Sequence, residues 1–201
     1  MDTKNTIYQF KVILKGIKPL IWRRIEVPAT YRFWDLHVAI QDSMGWDDYH
    51  LHAFRISNPD TGKVEQIGIP DDDRFEDDPV CLPGWKLPIA AYFRKKGDKA
   101  DYEYDFGDGW DHKIVLEKIT DKVPKTEYPR CLGGARACPP EDCGGIGGYE
   151  NLLETIGDPS HDEYKSTMEW LHGEFDPEHF DPKEVRFDDP KKRWKIAFSN
   201  E

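Results

Sequence analysis

The chain has 201 residues and a formal charge of −11, from 39 acidic and 28 basic side chains. That length makes one full domain, or one domain with an appendage, and it buries a core without disulfides or a structural metal. The acidic field opposes general coating of DNA or RNA, and seven tryptophans among 13% aromatic residues exclude a disordered chain.

Residues 7–14 alternate, with Tyr8, Phe10, Val12 and Leu14 on one face of a predicted strand. A turn at Gly16–Pro19 leads to a second strand over 20–27, ended by Pro28, so the two form a hairpin. Thr30 is the expected N-cap of a helix over 32–44, with Phe33, Leu36, Ile40 and Met44 as its apolar stripe and Gly45 at its end. Strands are predicted over 50–56 and 63–69, around a turn at 58–62. Segment 71–78 has six acids and one base and reads as a solvated loop. A short helix is expected over 87–95, then strands over 101–106 and 111–119, the first placing Tyr102, Tyr104 and Phe106 on one face.

Residues 120–148 read as irregular, being rich in Pro, Gly and Cys, and a helix follows near 149–156. Ser160-His-Asp-Glu163 reads as a capping box for a helix carrying Tyr164, Met168 and Leu171 and stopping at Gly173. Asp181–Glu184 reads as a weaker helix start. The economical architecture is one α+β domain over 1–201, with its core at about 6–173 and a helical extension over 174–201. Residues 1–5 lack the pattern of a secretory signal, and no apolar run is long enough for a membrane span. The cytoplasm is therefore the expected compartment, with Cys81, Cys131, Cys138 and Cys143 as thiols.

Four constellations could carry chemistry. His50 and His52 share one face of a strand, and Asp105, Asp108, Asp111 and His112 gather around the next turn. Converging, His50, His52, Asp105, Asp108 and His112 suit zinc, manganese or iron; the alternative is that the histidines only bond backbone. Cys131, Cys138 and Cys143 form a separate, weaker ligand set, because no C-x2-C pair is present. In Pro139-Pro-Glu-Asp-Cys-Gly-Gly145, Glu141 and Asp142 either face a ligand or cap the following helix. Residues 1–37 also hold seven Lys or Arg against three acids, and Trp22, Arg23 and Arg24 are a weak candidate for stacking on bases or gripping phosphate. The alternative there is an edge strand kept soluble by charge.

Three ordered blocks resemble the plasmid pRiA4b open-reading-frame-three-like family. They are Ile21–Arg24 with Leu36-His37, Met44–Trp46 and His50–Phe54; Tyr102–His112; and Cys138–Gly145 with Gly148-Tyr149. The resemblance implies a two-layer fold with a mixed sheet, helices on one face and a faint likeness to ubiquitin. It also implies bacterial or archaeal relatives, some accompanying insertion sequences under a resolvase-like label. Five serines without a recombinase nucleophile context argue against transferring that activity. The motif positions carried over are His37, His50, His52, Asp105, Asp108, His112, Glu141 and Asp142.

Three readings follow. The first is a non-catalytic accessory or binding module with a protein partner. The second is a metal-dependent phosphoester hydrolase, with His50, His52, Asp108 and His112 holding the ion and Glu141 as general base. The third is a nucleic-acid-binding factor.

Overall fold

The computed structural model describes residues 3–70, 80–173 and 175–198. The acidic segment 71–78 lies outside the described residues. The strands are β1 (Thr6–Leu14), β2 (Trp22–Pro28), β3 (His52–Ser57), β4 (Val64–Gly68), β5 (Cys81–Pro83), β6 (Lys99–Tyr104), β7 (Trp110–Asp121) and β8 (Arg130–Ala135). The helices are α1 (Phe33–Met44), α2 (Gly145–Gly157), α3 (Tyr164–Trp170) and α4 (Pro190–Phe198). One sheet takes all eight strands in the order β5-β4-β3-β6-β7-β1-β2-β8. It is mixed, with β4 and β5 parallel and the other pairs antiparallel, so the α+β class holds.

The core forms where α1 lies over the sheet. Phe33, Leu36, Ile40 and Met44 are all buried, as their spacing requires. Phe33 meets Phe54 edge-on at 5.1 Å, and Phe10 meets Phe93 at 4.8 Å. Gly45 closes α1 in the left-handed region at φ 91°. Its start falls two residues after Thr30, at Arg32, whose N–H is taken by the Asp35 carboxylate at 2.8 Å.

Six local expectations are corrected. The helix expected over 87–95 is a single 3-10 turn, Ile89–Ala91, because the Asp98 carboxylate takes the N–H groups of Arg94 and Lys95. The stretch read as irregular contains β8, paired along β2. Its Gly134 is needed because a Cβ there would stand 2.5 Å from the Phe180 ring. Helix α2 starts earlier than 149, at Gly145. Ser160 caps nothing; its N–H and hydroxyl both bond the Asp158 carboxylate, and α3 opens at Tyr164. Residues 181–184 form only a turn, and the C-terminal helix begins instead at Pro190. Phe106, expected on the buried face with Tyr102 and Tyr104, lies beyond the end of β6 and is 49% exposed.

Gly148 shows how tightly α2 is seated. A Cβ at that position would stand 1.8 Å from the Cys143 carbonyl oxygen. Gly148→Ala is therefore expected to destabilise the fold by on the order of 3 kcal/mol, read as a lower urea midpoint. Gly147, where a Cβ meets nothing within 4 Å, is the control, and Gly147→Ala leaves the midpoint near wild type.

Candidate metal centre at the end of the sheet

Antiparallel pairing puts His52 opposite Tyr104. The residues just before His52 and just after Tyr104 therefore share one end of the sheet, where the Asp105 N–H donates to the Leu51 carbonyl at 2.9 Å. The β6–β7 turn is built on Asp105. Its Oδ1 accepts N–H bonds from Gly107 and Asp108, and its carbonyl accepts one from Gly109.

The loop over residues 139–144 closes over this end. The Trp46 indole N–H donates to the Pro139 carbonyl at 2.9 Å, and the Gly144 N–H to Asp108 Oδ2 at 3.1 Å. Glu141 Oε1 accepts from the Tyr104 hydroxyl and from the Asp47 N–H, each at 2.9 Å. The same Tyr104 oxygen accepts the Tyr49 N–H at 3.1 Å.

His50 and three carboxylates converge as a result. From His50 Nε2, Asp142 Oδ1 is at 2.9 Å, Asp105 Oδ2 at 3.7 Å and Glu141 Oε2 at 3.9 Å. One ligand atom each from His50, Asp105 and Asp142 fits within 4.8 Å of the others, the one such group among the described residues. His50 Nε2 and Glu141 Oε2 are both shut off from solvent and neither has a hydrogen-bond partner, since the Asp142 contact lacks the alignment of one. Burial holds the Glu141 carboxyl above the usual carboxylate range, against the opposing pull of Tyr104, Asp47 and His50. Asp105 and Asp142 both sit in the left-handed region, at φ 54° and 56°, a conformation aspartate tolerates better than most residues.

The other expected ligands go elsewhere. His50 lies outside β3, so the two-residue spacing to His52 does not put both rings on one face. His52 faces the core, 2% exposed, with its ring stacked on His37 at 3.4 Å and 8°. His37 is held between the Tyr102 hydroxyl at 2.9 Å and Asp48 Oδ1 at 2.8 Å. His112 is fully buried across from Tyr102 and edge-on to Trp46. Asp108 spends its Oδ2 on Gly144. Cys131 is turned to the Gly133 carbonyl, and burial raises the Cys138 and Cys143 thiols, the latter to about 12. No cysteine joins a ligand group among the described residues.

The nucleic-acid candidates split in the same way. Arg23 points inward, 1% exposed, bonding the carbonyls of Ser43, Trp22 and Ala135 and lying over the Phe180 ring. Arg24 stays on the outer sheet face, paired to Glu117 at 2.6 Å and stacked over Trp22. No helix among the described residues is long and apolar enough to cross a membrane.

The chain belongs to the family described as Plasmid pRiA4b ORF-3-like protein, whose model matches residues 6–184. One relative, "Uncharacterized protein y4hQ" of Sinorhizobium fredii (strain NBRC 101917 / NGR234), is 37% identical over 166 residues, 82% of this chain and 80% of that protein. The crystal structure of "Protein of Unknown Function MM3350" from Methanosarcina mazei Go1 superposes with a TM-score of 0.83 at 47% identity, covering 92% of this chain and 100% of that one.

The buried imidazoles set a pH dependence. Burial holds His52 well below its ordinary value and His112 at about 3, so both are neutral in the fold. In the unfolded chain they regain a value of about 6.5 and take up protons below it. Their contribution to stability is complete above about pH 6.5 and is lost as the pH falls towards about 3. Urea midpoints are expected to fall between about pH 7 and pH 4.5, less steeply in His112→Gln. A midpoint flat across that range contradicts the assignment.

Proposed function

We propose that His50, Asp105, Glu141 and Asp142 bind one divalent cation, and that the protein is a non-catalytic, cation-dependent binding module acting on a protein partner in the cytoplasm. The observation that carries this reading is the facing pair of unpartnered, solvent-inaccessible atoms, His50 Nε2 and Glu141 Oε2. A buried polar atom left unsatisfied costs about 1–3 kcal/mol, and a cation between these two relieves both. A tetrahedral ion with ligands at about 2.1 Å spaces its ligand atoms about 3.4 Å apart, and the distances from His50 Nε2 to the three carboxylates, 2.9–3.9 Å, bracket that spacing. A dication also offsets the mutual repulsion of three carboxylates. One nitrogen and three oxygens favour manganese, iron(II) or zinc over soft ions.

The surroundings support binding rather than turnover. Tyr49 and Leu51 flank His50 in the chain, and Phe106 follows Asp105. They are 76%, 52% and 49% exposed, and apolar groups grouped around a polar centre mark a contact surface. The raised Glu141 carboxyl favours one second reading, a metal-dependent phosphoester hydrolase in which Glu141 takes a proton from water.

Elemental analysis of untagged protein and calorimetric titration with Mn²⁺ and Zn²⁺ test the centre. About one equivalent per chain is expected, weakened at least about 30-fold by Asp105→Asn or His50→Ala. Asparagine keeps the acceptor that holds the Asp105 turn, so metal-free melting stays near wild type. Absence of binding at millimolar cation overturns the reading. Metal-dependent phosphoester turnover lost in Glu141→Gln selects the hydrolase.

A further inference from the structure

A second constellation lies away from the cation centre, where α4 packs beside α1. This helix falls beyond the segment matched by the family model. The Trp34 indole N–H donates to the Pro190 carbonyl at 3.0 Å and fixes the start of α4. Trp194 then stands edge-on to Trp34 at 5.3 Å and 90°, with Phe198 at 4.0 Å and Trp85 at 4.5 Å from it. Arg193 fastens the helix from the next position, pairing with Asp42 at 2.8 Å, Asp188 at 2.6 Å and Asp48 at 3.4 Å.

Between these elements runs a groove of about 790 Å³, within the range of small-molecule sites. Its walls are tryptophans with half-buried rings, Trp85 and Trp194. Its rim carries Arg32, Lys191 and Lys195, all exposed. Two acids also line it, and both are engaged by backbone. Asp35 holds the Arg32 N–H, and Asp189 Oδ1 holds the Lys191 N–H at 2.9 Å. The groove lining thus holds three cations against two carboxylates, a small positive excess on a molecule whose net charge is −11. Arg32 reaches across to the Trp85 carbonyl, and Arg32 and Lys191 both face the Asp35 carboxylate, so Lys195 is the rim cation without a partner among the described residues. Half-buried indoles beside exposed cations match a flat ring that carries an anion.

We infer that this groove binds a purine nucleotide, with the base against Trp85 and Trp194 and the phosphates against Arg32, Lys191 and Lys195. The phosphates have charge complementarity only on the rim, and the base has stacking partners only along the walls. A long nucleic acid is a poorer occupant, because its flanking phosphates meet the acidic surface outside the groove. A proline-rich peptide shares the liking for aromatic walls but has no use for the cations.

Calorimetric titration of the full chain with ATP, adenosine, inorganic phosphate and a proline decapeptide tests this, with EDTA present so that the cation centre is silent. ATP is expected to bind saturably at one site, with adenosine and phosphate each at least about tenfold weaker. Lys191→Glu and Lys195→Glu lie on the exposed side of α4 and each weaken ATP about fivefold at unchanged melting temperature. Trp85→Leu removes a wall and weakens ATP and adenosine together. The inference is overturned if ATP shows no saturable binding, if adenosine binds as well as ATP, if both lysine reversals leave the affinity unchanged, or if the peptide binds and ATP does not.

Discussion

Register between β3 and β6 decides what meets at the end of the sheet. With His52 opposite Tyr104, the chain entering β3 and the chain leaving β6 run side by side, and His50 faces Asp105. A shift of one residue would turn Tyr102 and Tyr104 out of the core and His50 away from the carboxylates. The Tyr104 hydroxyl then ties three segments together, since it receives the Tyr49 N–H and donates to Glu141. A buried aromatic ring thus anchors a polar junction, with its body in the core and its oxygen at the boundary.

Much of this was legible in the residues. Alternation in 7–14 and in 101–106, and the stripe on α1, report burial directly, because a strand or helix must hide one face. What escaped is non-local. Strand β8 carries few apolar residues and two glycines, and it is a strand only because β2 and Phe180 accept it there. His52 and His112 carry the same side chain as His50, yet packing against His37 and Trp46 makes them core residues. Asp142 was legible as an acid before Cys-Gly-Gly, but its convergence on His50 depends on the path of the whole 139–144 loop. Arg23 and Arg24 are neighbours in sequence, and strand alternation alone sends one inward and the other out.

The electrostatic layout follows from the same frame. A surplus of acid over the whole chain does not make every surface alike, because the acids are unevenly placed, many of them at turns and helix starts where they accept from backbone donors. Asp35, Asp98, Asp105, Asp158 and Asp189 all do this. The acids that stay grouped stand at the sheet end, while cations keep the rim of the α4 groove. Two regions of opposite character therefore coexist on one small fold.

The seating of the 139–144 loop has a consequence for how the molecule assembles. His50 and Asp142 are separated by about ninety residues, and contacts that distant in the chain close late, after the loop-closure entropy between them has been met. The loop is held from both sides, by β8 paired along β2 and by α2 with Gly148 seated against Cys143. The proposed four-residue centre thus exists only in the finished molecule and has no counterpart in the unfolded chain. Any ion it holds binds the native state alone, so ion concentration becomes a term in the apparent stability of the whole fold.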